Sequence, residues 1–481
     1  MFLTTSCVDL TQEPQSFITD EDYIASMDLT GLQQAATGLY NDLWNGNYGF
    51  NCRLQRINVC ADDITYRAAK ANNELANYYR LSPNITANTF DTTWSLFFAV
   101  INHSNTLINK TVLPENADQA KKFEEVLGEA YFLRGLSYFY LVRMYGDVPL
   151  ILAETDASTY MPRTAVAEIY DQAIIPSLKK AVEILPAKSR SGFSSTPSKW
   201  AAEACLADAY MTMAGWPLKR GQEYYSLAAA AAKDIIDNSG LYLTEEYAEL
   251  WKEANKAQPN EVMFAIHHNA KMKTASNYGK SYYPSDFAPN AGWSDYYANE
   301  SFFLNYPDDA RKEWNYMTEW ETKNGHVTYK ESADKLPAIS KYYDYDNGAP
   351  GKSAQANGIT CIYRYADVLL MYAEASTRAT NSVNAQALDA IQKVQKRAGY
   401  AQDQLTTTTD PTAFTTAVFN ERGWEFFAEM KRWFELVRLE KVSEVRAETW
   451  NGSLFQSNNH YYFPIPYQQI RLTQWTNNAG Y

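Results

Sequence analysis

The chain has 481 residues, of which 46% are hydrophobic and 21% charged, a composition typical of a folded globular protein and not of a disordered one. The formal net charge of −13 argues against a nucleic-acid-binding protein, because a phosphate backbone requires a basic face. No apolar run approaches the roughly 18 residues of a membrane span, so the sequence predicts a chain that does not cross a bilayer.

The N-terminus carries a pattern typical of a lipid-anchored protein. Residues 1–6 run from apolar to small side chains and Cys7 follows them, which is how a secretory signal peptide meets the acylated cysteine of a bacterial lipoprotein. We expect residues 1–6 to be a signal-peptide remnant and Cys7 to be the lipidation site. Residues 7–22 have no helical or strand period and are predicted to form a flexible tether. The alternative is an exposed free thiol on a disordered terminus.

The other four cysteines form no metal or redox motif of the C-x-x-C type. Cys205 and Cys361 stand in apolar patterns and are predicted to be small core residues. A disulfide between Cys52 and Cys60 stays open, because sequence alone does not fix cysteine pairing.

Apolar side chains recur at helical spacing along most of the chain. Gly146 and Pro149 mark the end of one long helix, and Thr196 followed by Pro197 marks the start of another. Alanine at the close contacts predicts antiparallel pairs, and therefore an all-α-dominated fold with degenerate tetratricopeptide-like repeats. The predicted helices cover residues 30–44, 94–110, 117–145, 165–184, 197–213, 222–238, 362–379, 384–398 and 412–438.

Residues 23–481 are predicted to form one domain whose helical scaffold, at about 94–240 and 362–438, is interrupted by an insertion at about 241–361. An insertion of this length is too long to be a plain loop, which predicts a functional role. Aromatic residues are concentrated there: 13 of the 43 residues from Tyr278 to Trp320 are Tyr, Phe or Trp, against 14% for the whole chain. Binding residues collect on loops that a rigid scaffold holds, so we expect the ligand-binding region in this insertion.

Short segments along nearly the whole chain resemble, in order, those of the SusD-like (RagB/SusD) outer-membrane lipoproteins. The most specific are Glu129–Leu150, EAYFLRGLSYFYLVRMYGDVPL, and Tyr363–Ala375, YRYADVLLMYAEA. We expect Glu129 and Arg134 of the first segment on a helix covered on both sides, with Arg134 as the partner of a buried carboxylate. The other segments are Cys7–Leu10 with Pro14, Ala61–Asp63, Trp94–Phe97, Ile101–Asn105, Asn420–Phe426, Lys431–Arg438, Phe463–Pro466 and Asn478–Tyr481.

The resemblance implies a SusD-like α-helical fold with four degenerate tetratricopeptide pairs. It also implies a receptor anchored by lipid on the cell-surface side of the outer membrane, paired with a SusC-like, TonB-dependent β-barrel transporter over which it acts as a lid. Oligosaccharides are the typical ligands, and some relatives take peptides. Ligand residues vary in the family, so none is carried over here by motif.

Residue sets that could support catalysis or hold a metal are few. Glu421, Glu425 and Glu429 recur at one helical face, which could be a glycosidase-like carboxylate set, but an ion-paired packing face is favoured because catalytic carboxylates lie on opposite sides of a cleft. Neighbouring side chains point apart, so His267 and His268 make a poor metal pair. We expect no cofactor; a structural calcium ion would have only the turn residues Asp344, Asp346 and Asn347, with Gly348, to support it.

The aromatic insertion is the best candidate for binding a sugar. The C–H face of a pyranose stacks on Trp or Tyr, and its hydroxyl rim needs planar amide, carboxylate or guanidinium partners. We expect stacking on Trp293 and Tyr296, with Asn290 or Asp295 at the rim. The alternative is that the aromatics fix the insertion to the helices. Further candidates from the insertion and from a second, early arm are Tyr297, Tyr282, Tyr283, Trp44, Tyr48, Tyr66 and Arg67.

Three classes of function remain open from the sequence: a surface receptor, an enzyme and an intracellular adaptor. A cell-surface oligosaccharide receptor that delivers its ligand to the transporter is favoured, and a peptide receptor of the same family is its nearest alternative. A glycan-degrading enzyme would need two opposed carboxylates. An intracellular repeat adaptor would lack acylation at Cys7 and would bind peptides on a concave face.

Overall fold

The fold is dominated by helices, which confirms the predicted fold class. The computed structural model describes residues 24–44, 54–67, 73–153, 161–257, 260–272, 274–288, 291–343, 357–447, 453–455 and 461–481. The α-helices are Leu29–Trp44, Asn73–Tyr79, Asn88–Lys110, Ala117–Tyr145, Val166–Ile169, Ile175–Ile184, Lys199–Ala214, Gln222–Asn238, Tyr278–Tyr282, Glu300–Leu304, Ala310–Asn315, Tyr365–Thr380, Ala385–Ala398, Pro411–Glu425, Arg432–Arg438, Val442–Val445 and Tyr467–Thr473. A π-helical turn, Tyr170–Ile174, joins two of them, and 3-10 turns cover Leu54–Cys60, Tyr247–Trp251, Glu253–Asn255 and Ala270–Met272.

The long helices pack on their neighbours along the chain, as antiparallel pairs do. Helix Asn88–Lys110 packs on Ala117–Tyr145, which packs on Ile175–Ile184. The row continues through Lys199–Ala214 and Gln222–Asn238 and then crosses the insertion to helix 365–380, which also contacts helices 385–398 and 411–425. The tetratricopeptide character of these pairs stays a prediction.

Capping residues set several helix ends where the sequence predicts them. The side-chain oxygens of Asn116, Asn384 and Asp410 accept hydrogen bonds from backbone N–H groups in the first turns of their helices. Gly146 ends the 29-residue helix at a φ of 71°, a left-handed value that suits glycine. Thr196 does not cap its helix, because that helix begins at Lys199 with Ser198 in the N-cap position.

The strands are short, and most of those in the described residues lie in the insertion between the helical blocks. The strands are Ile64–Tyr66, Val148–Pro149, Arg163–Thr164, Val262–His267, Tyr296–Ala298, Tyr316–Met317, Glu319–Thr322, Gly325–Thr328, Ala338–Ile339 and Ile359–Arg364. They form antiparallel two-stranded pairs: 64–66 with 296–298, 148–149 with 163–164, 262–267 with 359–364, 316–317 with 338–339, and 319–322 with 325–328. The helix predicted over 362–379 therefore begins only at Tyr365, after a buried strand.

The helix predicted over 412–438 is interrupted at residues 426–430. The first helix ends at Glu425, and a new helix begins at Arg432. Between them, Ala428 and Met430 adopt positive φ values of 60° and 61°. The break frees backbone carbonyls for side chains of the insertion. Lys341 Nζ donates to Phe427 O at 2.7 Å, and Tyr342 Oη donates to Ala428 O at 2.9 Å.

Glu421 and Glu425 lie on the helix before this break but Glu429 lies in the break itself, so the three do not share one helical face as expected. All three are at most 2% exposed and ion-paired, which is the packing role favoured from the sequence. Arg311 Nη1 donates to Glu421 Oε1 at 2.6 Å and to Glu425 Oε2 at 2.8 Å. Lys341 Nζ lies 2.7 Å from Glu429 Oε1. Both cations come from the insertion, so this buried ionic network joins the insertion to the scaffold.

The cysteines within the described residues are buried. Cys205 and Cys361 lie in the core, as predicted, and Cys60 is a free thiol whose Sγ lies 3.4 Å from Tyr78 O. Cys52, Cys7 and the tether at 7–22 lie outside the described residues, as do Asp344, Asp346 and Asn347.

The pairing of Glu129 differs from the expectation. Its buried carboxylate accepts hydrogen bonds from Tyr40 Oη and Arg190 Nε, each at 2.6 Å. Arg134 instead donates to two neutral groups, Ser177 Oγ at 3.0 Å and Asn105 Oδ1 at 2.9 Å. The expected carboxylate partner of Arg134 is therefore wrong, although both side chains are buried as predicted.

We predict that Arg190→Leu lowers the free energy of unfolding by at least about 2 kcal/mol, because it leaves a buried carboxylate without its cation. The matched variant Arg134→Leu removes two hydrogen bonds to neutral groups and a contact with the Tyr131 ring but no ion pair, and we expect a loss of about 1 kcal/mol. Urea unfolding followed by circular dichroism measures both. A larger loss for Arg134→Leu than for Arg190→Leu would contradict this assignment of partners.

Candidate ligand-binding site

A short strand pair brings together the two arms that the sequence predicts. Strand Ile64–Tyr66 runs antiparallel to Tyr296–Ala298, with Tyr66 opposite Tyr296. The pairing continues to Arg67, whose backbone N–H donates to Asp295 O at 3.4 Å. Residues separated by more than 200 positions therefore meet at one surface.

A tight loop presents Trp293 beside this strand pair. Trp293 N donates to Lys280 O at 2.6 Å, and Ser294 N donates to Tyr283 O at 3.0 Å. The preceding Gly292 has no room for a side chain, since an added Cβ would lie 2.3 Å from Tyr283 O. Ser294 adopts a left-handed φ of 53°. The loop is therefore fixed by its backbone and holds Trp293 in place.

Trp293 is the most exposed tryptophan in the described part of the chain, at 37%. The ammonium group of Lys280 lies over its ring, 4.7 Å from the centroid. A half-open indole with a cation near one face offers a flat apolar surface beside polar groups.

The guanidinium of Arg67 is held by a carboxylate that sequence reasoning did not identify. Asp334 Oδ1 accepts from Arg67 Nε at 2.8 Å, and Asp334 Oδ2 accepts from Tyr297 Oη at 2.7 Å. Burial raises the pKa of Tyr297, so its hydroxyl stays protonated and donates. Among the described residues, the Nη1 and Nη2 groups of Arg67 have no hydrogen-bond acceptor. Arg67 can therefore donate to a ligand from a fixed position.

Four of the predicted tyrosines are packing residues. Tyr282, Tyr283, Tyr296 and Tyr297 are between 1% and 4% exposed. This burial corrects the expected stacking of Tyr296 on a ligand and does not favour a ligand contact for the other three candidates. Tyr282 lies parallel to Tyr342, with ring centroids 6.0 Å apart, and Tyr282 also contacts Tyr296. These ring contacts lie within the insertion, whereas the alternative left open by the sequence has the aromatics fixing the insertion to the helices.

The remaining predicted residues lie in different environments: some are half-buried, one is buried, and others lie outside the described residues. Tyr66 is half-buried beside Tyr79, with ring centroids 5.6 Å apart, and Asp295 is half-buried within the strand pair. Trp44 is only 6% exposed and packs against His268 at 4.4 Å, which corrects its assignment to the ligand. Asn290 and Tyr48 lie outside the described residues, so their predicted roles stay predictions.

Lys280 and Asp334 complete the site, but sequence reasoning missed both. Lys280 is one of many lysines in a polar stretch, and Asp334 is 267 residues from the arginine that it holds. Such long-range pairing leaves no local sequence signal.

The histidines have other partners. His267 Nε2 lies 2.8 Å from Ser194 Oγ, and His268 Nε2 lies 2.8 Å from Thr360 Oγ1. Burial lowers their pKa values to about 4 and about 3. Within the described ranges, no group of three or more His, Cys, Asp or Glu side chains is placed to hold a metal ion.

None of the described helices is both long enough and apolar enough to span a membrane.

Comparison with known families agrees with this fold. A family of SusD-like proteins described as starch-binding and associating with the outer membrane matches residues 19–211, and the SusD family matches residues 278–481. The chain therefore belongs to the SusD-like family.

Individual relatives extend this match to nearly the full length. SusD-like protein P2 of Formosa agariphila is 27% identical over 524 aligned positions, covering 99% of this chain and 97% of the relative. A SusD homologue from Bacteroides thetaiotaomicron shares the fold with a TM-score of 0.83 and 21% identity, covering 94% of this chain and 97% of that one. A laminarin-binding SusD-like protein has a TM-score of 0.76 and 21% identity, covering 94% and 99%.

We predict that Gly292→Ala lowers the free energy of unfolding by about 1–3 kcal/mol, because the new Cβ would collide with backbone that cannot move freely. Gly38→Ala is the matched control: this exposed helical glycine has nothing within 4 Å of an added Cβ. We expect the control to gain about 0.5–1 kcal/mol. Equal stability of the two variants in urea unfolding would show that the loop does not need glycine at 292.

Proposed function

We propose that the chain is an oligosaccharide-binding receptor of the SusD-like family. The observation that carries the proposal is Trp293, an exposed indole on a backbone-fixed loop that leads into the strand pair beside Arg67. Within the described residues, the Arg67 guanidinium has free donors. The indole fits the C–H face of a sugar ring, and Arg67 fits its hydroxyl rim. Laminarin binding by a relative of the same fold supports this ligand class.

A glycan-degrading enzyme is less well supported. A glycosidase places two carboxyl groups on opposite sides of a cleft, one of them held protonated. Here Glu425 and Glu429 are buried in ion pairs, and the guanidinium groups around Glu425 outweigh burial and lower its pKa. Incubation with laminarin, starch and cellulose fragments should release no new reducing ends.

The ligand class is tested by a combined glycan and peptide array, followed by calorimetric titration of the hits. We expect one or more oligosaccharides to bind, with affinities of about micromolar to millimolar, because a wet and open site desolvates little surface. Binding of peptides without any glycan would favour the peptide receptor of the same family.

We predict that Trp293→Ala weakens oligosaccharide binding at least about tenfold, or about 1.4 kcal/mol, with little change in melting temperature. Tyr242→Ala is the matched control, because Tyr242 is a 56% exposed aromatic residue in another part of the chain. The control should bind like the wild type. If Trp293→Ala stays folded and binds normally, the ligand site lies elsewhere.

The proposal also includes a cellular location and a partner protein. Membership of the family supports an outer-membrane lipoprotein, exposed at the cell surface, that hands its ligand to a SusC-like TonB-dependent transporter. In that role a modest affinity is useful, because the receptor must release its cargo.

We predict that Cys7 carries two or three acyl chains, since one chain anchors a protein only marginally. Mass spectrometry of full-length protein from its native host measures the modification. Cys7→Ala is the control and should leave the membrane fraction. An unmodified thiol at Cys7 in the native preparation would contradict lipid anchoring.

A further inference from the structure

A second aromatic surface includes none of the residues that build the Trp293 loop. Trp424, half-buried near the end of helix Pro411–Glu425, borders two adjoining cavities of about 670 and 470 Å³. Asn305 and Asn420 also line both cavities. We call this continuous surface the Trp424 groove. Each cavity falls in the range of about 300–1,000 Å³ that is usual for small-molecule sites.

The groove is held by the fold on both sides. Tyr306 Oη donates to Trp424 O at 2.6 Å, and the two rings lie 6.4 Å apart. Phe302, which lines the larger cavity, lies nearly parallel to buried Phe427, with centroids 6.0 Å apart. The segment Asn299–Tyr306 is therefore fixed against the scaffold, and the groove is formed before any ligand arrives.

Two of the charged groups that line the larger cavity, Arg432 and Asp62, neutralise each other. Arg432 Nε and Nη2 donate to the two carboxylate oxygens of Asp62, at 2.7 and 3.0 Å. Arg432 also lies over the Phe419 ring, 4.1 Å from its centroid. Because Arg432 and Asp62 are paired, they do not favour a strongly charged ligand.

The rim is formed by neutral polar groups that face solvent. The exposed side chain of Asn420 makes no hydrogen bond to the described residues, and Asn305 uses only its Nδ2, which donates to Ser301 O at 3.0 Å. In the smaller cavity the buried hydroxyl of Tyr400 has no hydrogen-bond partner within the described part of the chain. Amides and hydroxyls around an indole suit a polyhydroxylated, uncharged ring.

We propose that the Trp424 groove is a second oligosaccharide-binding site, in which the indole of Trp424 packs on a sugar ring and the Asn305 and Asn420 amides bind its hydroxyls. This inference rests on the glycan-binding function proposed above. It adds a second contact region, formed by residues other than those around Trp293.

The two sites are close enough for one long glycan to reach both. Asn299, at the edge of the larger cavity, follows Trp293 by six residues, and a chain of six residues spans at most about 20 Å. Two linked contacts raise the affinity for a polymer well above that of either contact alone. A long glycan should therefore bind more tightly than a short one.

The test uses the full chain with long laminarin oligosaccharides, malto-oligosaccharides and cello-oligosaccharides as probes, measured by calorimetric titration. We expect Trp424→Ala to weaken binding of the recognised long oligosaccharide about fivefold or more. Trp293→Ala should leave some binding. The double variant with Trp293→Ala and Trp424→Ala should lose this remaining binding. Trp424→Phe should bind within about twofold of the wild type, and Tyr242→Ala should bind normally.

The outcomes separate this inference from the proposed function. If Trp293→Ala abolishes binding and Trp424→Ala does not affect it, the groove is not a glycan site and the proposed function stands. If none of the three probes binds the wild-type chain, a long form of the glycan identified on the array replaces them; a chain that binds no glycan on the array overturns both the glycan function and the groove. If Trp424→Ala does not fold, the exposed double variant Asn305→Ala with Asn420→Ala decides, and unchanged binding by that variant overturns the inference.

Discussion

All five N–H donors of the Arg364 guanidinium are used inside the protein. Nε and Nη2 donate to the two oxygens of Glu429, at 3.0 and 2.9 Å, and Nη2 also donates to Glu425 O at 2.8 Å. Nη1 donates to Glu261 Oε1 at 2.9 Å and to Glu425. Removing a buried charge from such a set leaves its partners uncompensated, at a cost of several kcal/mol. Because Arg364 ends a strand of the insertion and precedes a scaffold helix, its position fixes one relative to the other.

The geometry of the loop that carries Trp293 depends on the same ionic network. Lys341 reaches Glu429 from the insertion, and the next residue, Tyr342, lies parallel to Tyr282. Tyr282 belongs to the short helix whose Lys280 carbonyl accepts the Trp293 N–H. The buried tyrosines therefore have a role other than the one expected from sequence: they transmit the position of the scaffold to an exposed indole, so that it is held in place before a ligand binds.

The sequence predicts what local patterns determine. The bounds of helix 117–145 follow from apolar spacing and from Gly146, and the match to the structure is close. The break at residues 426–430 does not follow, because FFAEM continues the helical pattern and only Lys341, Tyr342 and Arg364 show why its carbonyls are needed elsewhere. For the same reason, composition can show that the insertion is rich in aromatic residues but cannot separate a buried ring such as Tyr296 from an exposed one such as Trp293.

Stability and recognition are thus assigned to different kinds of residue. The charged groups of the buried network are paired, and neither Trp293 nor Trp424 is among them. Changing either indole therefore removes no ion pair of the network. This separation accounts for a fold that is shared with relatives at about one-fifth sequence identity, while the rings that contact a ligand need not be shared.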